Sequence, residues 1–175
     1  MWNAAPLSRC NLAVAQAAEG ASCTIDGLAV IGDRQLADTH SFLDHARPQG
    51  RSRQVHKCIV GGEAHAVFNG RIVVRPGAQR TDSAQQSRTL LLSQRAHIDT
   101  KPQLEIFADD VKCAHGATVG QLDADQMFYL RSRGMSPSTA TNLLTFAFAA
   151  EVIERIAVPS LVARLRDLVI RQTQA

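Results

Sequence analysis

Along the first two thirds of this chain apolar residues come in short runs or at alternate positions, broken by turn dipeptides. Residues 11–15 form the first run. Cys23, Thr24 and Ile25 lead into a turn at Asp26-Gly27, followed by an apolar run at 28–31 and a turn at Gly32-Asp33. Residues 39–46 alternate polar with apolar, and 48–50 form a loop. A strand at 55–60 ends in Gly61-Gly62; runs at 66–68 and 72–74 flank a turn at Asn69-Gly70. After Pro76-Gly77 and a polar loop at 80–87 comes a further run at 90–92, and Ile98 leads into a central stretch at 101–134.

That stretch predicts a strand, a tight corner and a short helix. Leu104, Ile106 and Val111 alternate with Glu105 and the pair Asp109-Asp110, and Pro102 suits a strand start. Gly116 and Gly120 bracket Ala117-Thr118-Val119 as a tight rung or turn. Asp123 with Gln126 three residues on is a capping box for a helix carrying Met127, Phe128 and Leu130, which Gly134 ends. Ser136-Pro137 caps a second helix, in which Leu144, Phe148, Val152 and Ile156 recur at four-residue spacing beside Phe146 and Ile153. Pro159 opens a third, striped by Leu161, Leu165, Leu168 and Val169.

Strands this short between turns this frequent point to a sandwich, a barrel or a parallel solenoid. The absence of helical crossovers before residue 123 excludes a doubly wound α/β sheet. An internal echo, Asp26-Gly-Leu-Ala-Val-Ile against Asn69-Gly-Arg-Ile-Val-Val, favours repetition. Its glycines are 43 residues apart, which predicts two rungs of about twenty residues each.

Composition narrows the partners. The chain has 175 residues, 45% hydrophobic and 20% charged, enough for one core of ordinary globular character. A net charge of +3 and a 5% aromatic share argue against nucleic acid. No apolar run approaches the roughly 18 residues that span a bilayer, and no secretion signal is visible. Cys10, Cys23, Cys58 and Cys113 are widely spaced, which suits free thiols and a cytoplasmic location.

Few residues offer chemistry. Cys113 and His115, two apart on a strand, emerge on one face as a thiol and an imidazole, both competent ligands for a metal or an iron–sulfur cluster. A buried thiol beside a hydrogen-bonded histidine is the plainer alternative. His56 and Cys58 repeat the spacing and read as core; His40 and His45 read as surface or ladder positions, and His65 and His97 are isolated. Asp109 and Asp110 face opposite sides of a strand, so a turn role fits them better than acid–base catalysis. Neither a nucleophile elbow nor a P-loop occurs. A solenoid enzyme acting on polysaccharide would need aligned carboxylates and stacking aromatics, which the strands lack.

The string LEIFADDVKCAHGATVGQLD followed by FYLRSRG closely resembles the core of the SufB/SufD family of iron–sulfur cluster assembly proteins, the C-x-H-G-A-T variant being SufD-like. The match runs back through GRIVV and IDTKPQLEI and forward through AFAAEVIE, and so covers most of the chain. The resemblance implies a right-handed parallel β-helix at residues 1–122 and a C-terminal helical region at 123–175. It implies a non-enzymatic scaffold that works with a SufB-like paralogue and a SufC-like ABC ATPase, with a homodimer in isolation as a further arrangement. His115, with Cys113, would serve cluster assembly at the SufB-facing interface, a transient iron–sulfur cluster or iron being handled there and no cofactor held tightly. The ATPase would dock on the helical region, with Phe128, Tyr129, Arg131, Arg133, Phe146 and Phe148 as contact candidates, and its ATP-driven movement would be relayed to the β-helix. Members of this family are longer before the point matched here, so the first rung is expected to present an open apolar end.

Overall fold

The computed structural model describes residues 6–173. Eight strands alternate between two parallel sheets: β1 (Leu7–Gln16), β3 (Leu36–His45), β5 (His65–Val74) and β7 (His97–Ile106) form one. The other contains β2 (Ser22–Ile31), β4 (Arg51–Val60), β6 (Asp82–Leu91) and β8 (Lys112–Gly120). Each strand pairs with the one two elements later, which is the connectivity of a parallel β-solenoid of about four turns. Leu7 lies beside Leu36, Leu36 beside His65, and His65 beside His97, so a coil takes 29 to 32 residues.

That period corrects the expected rung of about twenty. The echoing glycines, 43 residues apart, are separated by about one and a half coils and fall in opposite sheets. Nor are Asp26-Gly27 and Asn69-Gly70 turns: strands β2 and β5 run straight through them. Glycine stands there because bulky interior side chains press against the backbone. A Cβ at Gly27 would lie 2.3 Å from His56 Nδ1, and one at Gly70 only 2.8 Å from Phe68 Cζ. The true corners use left-handed residues instead, such as Gly62 at φ 59°, where a Cβ would meet Asp33 N at 2.7 Å.

Three further expectations are corrected. Most of the polar segment at 80–87 is strand β6, whose Ser83, Gln85, Ser87 and Thr89 are buried between the sheets. Residues 116–120 continue β8 rather than forming a corner. Pro102 sits in the middle of β7, tolerated because β7 ends its sheet and, among the described residues, has no strand on its outer edge.

The interior has apolar ends and a polar waist. Leu43, Ile72, Val74, Ala78 and Ala108 form one cluster, and Cys58, Val60, Ala64, Ala66 and Ala96 another. Between them runs a hydrogen-bonded file. Gln85 Nε2 donates to Gln54 Oε1 at 2.8 Å, and Gln54 Nε2 to Ser41 Oγ at 2.7 Å. Ser52 Oγ lies 2.7 Å from Ser83 Oγ and 3.0 Å from His45 Nε2. The rings of His56 and Phe68 stack at 4.4 Å.

Helix α1 (Ala124–Ser132) starts as expected, the Asp123 carboxylate accepting the Gln126 N–H at 2.8 Å, and Gly134 follows it at φ 89°. Helix α2 (Pro137–Ile153) is capped by Ser136 Oγ, which accepts from Thr139 N–H at 3.1 Å, and Pro159 opens α3 (Pro159–Thr173). Ile156 lies beyond the end of α2, and in α3 the packed residues are Val162, Leu165 and Val169, while Leu161 is exposed. The second half of α2 and α3 close over Leu28, Val30, Ile59 and Leu90 on the outer face of the second sheet. Lys57, fully buried, crosses this junction: its Nζ donates to the Phe148 carbonyl at 2.8 Å and pairs with Glu151, which Arg88 also contacts at 2.8 Å. Desolvation pulls the Lys57 ammonium below the usual lysine range, against the opposing pull of Glu151. Among the described residues no helix is long and apolar enough to cross a membrane.

Candidate functional site

Strand β8 ends its sheet, so among the described residues one of its edges has no strand beside it. Eight of its nine residues are exposed; Cys113 alone is half-buried. Cys113 points inward, against the cluster of Leu43, Ile72 and Val74. His115, two residues on, takes the same face, as the alternation requires. In register, Cys113 lies beside Ser83 and His115 beside Gln85, so both continue the polar file of the interior. Unlike the residues beneath them they have, among the described residues, no further coil above.

The electrostatics of Cys113 favour the thiol. Burial pushes it up, a hydrogen bond from the Ser83 backbone acts against that, and the nearby Asp82 carboxylate pushes it up further. The protonated thiol is therefore the favoured form in this surrounding, which disfavours action as a free nucleophile. Among the described residues no group of three or more His, Cys, Asp or Glu side chains is placed to hold a metal ion. Cys113 and His115 are two donors at an open edge, and a complete ligand set requires donors from beyond these residues.

The other histidines and cysteines are placed differently. His56 and Cys58 are buried, with desolvation lowering His56 to about 4 and raising Cys58 to about 12. His40 lies 2.8 Å from Asp38 on the outer face, and His65 2.8 Å from Asp99 with His97 edge-on to it. His45 is interior. Asp110 serves the turn before β8, its N–H donating to Gln79 Oε1 at 2.9 Å and its carbonyl accepting from Arg80 N–H at 2.6 Å. All four cysteines are free thiols.

The helical candidates divide into two groups. Phe128 is 75% exposed and Tyr129 56%, with Arg133 over the Tyr129 ring at 5.3 Å and Arg131 exposed beside them. Phe146 and Phe148 are half-buried against the junction with the solenoid, Phe148 lying under the Lys57 ammonium at 4.3 Å. Between α1 and α2 opens an apolar groove of about 540 Å³, lined by Tyr129, Leu130, Leu143, Leu144 and Ala147. Leu143 of that groove, and the interior Gln54 and Gln85, were not singled out from sequence, while Leu144 was read only as part of an apolar helix face. The signal for Gln85 was the alternation of Ser83, Gln85, Ser87 and Thr89 within what read as a loop.

Comparison with known proteins places this geometry. Residues 4–148 match the family model described as SUF system FeS cluster assembly, SufBD core domain. An iron–sulfur cluster assembly SufBD family protein of Synechocystis is 47% identical over 94% of this chain. The iron–sulfur cluster assembly protein SufD of Escherichia coli is 46% identical over 79%, and the chloroplastic protein ABCI7 of Arabidopsis thaliana 48% over 70%. The chain spans 36%, 33% and 26% of the length of these three relatives. With the family model covering its solenoid and reaching into α2, the chain belongs to the SufB/SufD family of SUF-system iron–sulfur cluster assembly proteins.

Proposed function

We propose that this chain is the SufD-like part of a scaffold that works with a SufB-like paralogue and a SufC-like ATPase, without catalysing a reaction itself. In this reading residues 1–122 are the β-helix core and 123–175 the helical region. The solenoid meets the SufB-like partner along β8, and the nascent iron–sulfur cluster is cargo at that junction rather than a resident cofactor. Cys113 and His115 supply ligands from this side, and the partner supplies the rest. The observation that carries the reading is the placement of a thiol and an imidazole on the inward face of a terminal strand with a free edge. A free parallel edge offers its N–H and C=O groups to an incoming strand.

The α1–α2 groove, flanked by Phe128, Tyr129, Arg131 and Arg133, is the ATPase contact, being apolar at its centre and basic at one end. Phe146 and Phe148 act behind it, joining the docking helices to the solenoid. The four free thiols suit a reducing compartment such as the cytoplasm.

The test is co-purification of the chain with SufB- and SufC-type partners, with and without His115→Ala, followed by anaerobic iron and sulfide analysis. The expected result is an intact complex whose iron and sulfide fall on substitution. An intact complex with unchanged iron would remove His115 from the site, and no complex with the native chain would remove the scaffold reading.

A further inference from the structure

The polar file inside the solenoid ends directly beneath the candidate site, and its last member is held in one orientation. Gln85 is 1% exposed, and its Nε2 donates to Gln54 Oε1 at 2.8 Å. Gln54 in turn donates to Ser41 Oγ at 2.7 Å, so the donors in this file all run one way, from β6 to β4 and across to β3. On the facing sheet Gly70 leaves room for the carboxamide, since a Cβ there would come within 2.5 Å of Gln85 Nε2 and 2.9 Å of its Cδ. The two polar ends of an amide diverge, so with Nε2 committed toward β4 the carbonyl oxygen is turned to the β8 side. That oxygen is buried and has no hydrogen-bond partner. A buried carbonyl without a donor is uncommon in a folded protein and calls for one. The register neighbour of Gln85 on β8 is His115.

We propose that Gln85 is a positioning residue for His115: its Oε1 accepts the N–H of one imidazole nitrogen, leaving the other nitrogen, with its lone pair, presented at the open edge. A histidine that ligates a metal commonly has its second nitrogen held in this way, which fixes both tautomer and ring direction. The file Ser41–Gln54–Gln85 then acts as a brace set through the solenoid, aiming a side chain that would otherwise swing freely on an exposed strand. The inference rests on the reading of His115 as a ligand at the partner junction, but its test does not.

The measurement is the nitrogen spectrum of histidine-labelled full chain above the histidine titration range, at about pH 8.5. The His115 resonances are identified by their loss in His115→Gln. The native chain is expected to show one fixed tautomer, with a separate protonated and unprotonated ring nitrogen. Gln85→Leu, which keeps the bulk and removes the acceptor, is expected to lose that preference and give the tautomer mixture of a solvated imidazole. Gln85→Glu, which keeps an acceptor at the same reach, is expected to restore a single tautomer. Ser87→Ala, which trims the neighbouring interior position, is expected to leave the His115 pattern as in the native chain. A tautomer mixture already present in the native chain would overturn the proposal without any variant. A fixed tautomer that survives Gln85→Leu would overturn it as well. If the tautomer depends on Gln85 while His115→Ala leaves the iron content of the complex unchanged, the brace stands and the cluster reading falls.

Discussion

The solenoid contains two pairs of histidine and cysteine at the same spacing, and they have opposite prospects. His56 and Cys58 lie in β4, in the middle of their sheet, while Cys113 and His115 lie in β8, at its end. All four side chains face the interior. The first pair has coils on both sides, a stacked phenylalanine and a full desolvation penalty, so the imidazole is held neutral and the thiol protonated. Among the described residues the second pair has a coil on one side only. In a solenoid the surroundings of a side chain are therefore set less by its neighbours in sequence than by whether another coil follows, and the same spacing is enclosed in one turn and left at an edge in the last described one.

The comparison can be broken most forcefully at Phe68, which is fully buried against His56. Phe68→Ala is expected to cost about 3–5 kcal/mol in urea unfolding. Val119→Ala, at a 49% exposed inward position of β8, should cost less than about 1 kcal/mol. Equal costs would mean that the end coil is as well sealed as the middle.

The next effect is a pH dependence. Folding depresses His56 from 6.5 to about 4, so between those values the unfolded chain binds the extra proton and stability rises with pH. The contribution, about 3 kcal/mol, is fully present above pH 6.5 and is lost as pH falls toward 4. Unfolding curves of native chain and His56→Gln across this window should differ in slope. Parallel curves would show that His56 charges freely in the folded chain.

A smaller effect separates the glycines. Gly70→Ala sets a Cβ 2.8 Å from Phe68 Cζ and should lower stability by about 1–3 kcal/mol. Gly116→Ala, with nothing within 4 Å, should remain within about 0.5 kcal/mol of the native chain. The smallest effect on stability, and a clear one on reactivity, is at the thiols. Alkylation of the folded chain should reach Cys113 well before Cys58, whose modification should wait on unfolding and rise with urea. Simultaneous modification would place both pairs in the same environment.

These contrasts also explain what was legible in the sequence. The caps at Asp123 and Ser136, the proline that opens α3 and the shared face of Cys113 and His115 are local, and each was readable from a few residues. The glycines at 27 and 70 were misread as turn signals because what demands them, His56 and Gln85, arrives from strands far along the chain. Strand β6 read as a loop because its inward positions are serine, glutamine and threonine, whose partners Gln54, Ser52 and Thr100 lie on other strands. Helix α2 is apolar on nearly every side, so periodicity alone could not tell the face on the solenoid from the face lining the groove. That β8 is the last of the described strands, on which the candidate site depends, is a property of the count of coils and of no residue in particular.

The placement of Lys57 has a mechanical consequence. The contacts of α2 with the solenoid named above, from Phe146 to Ile153, lie in its second half, and the groove residue Leu143 lies before them. Leu143 and Glu151 stand eight positions apart in the helix, a distance of about 12 Å along its axis. Were a load applied at the groove, the contacts of the buried ammonium would be one path for it into the solenoid. That ammonium rises from β4, two strands from β8, in the same sheet that ends at the thiol and the imidazole.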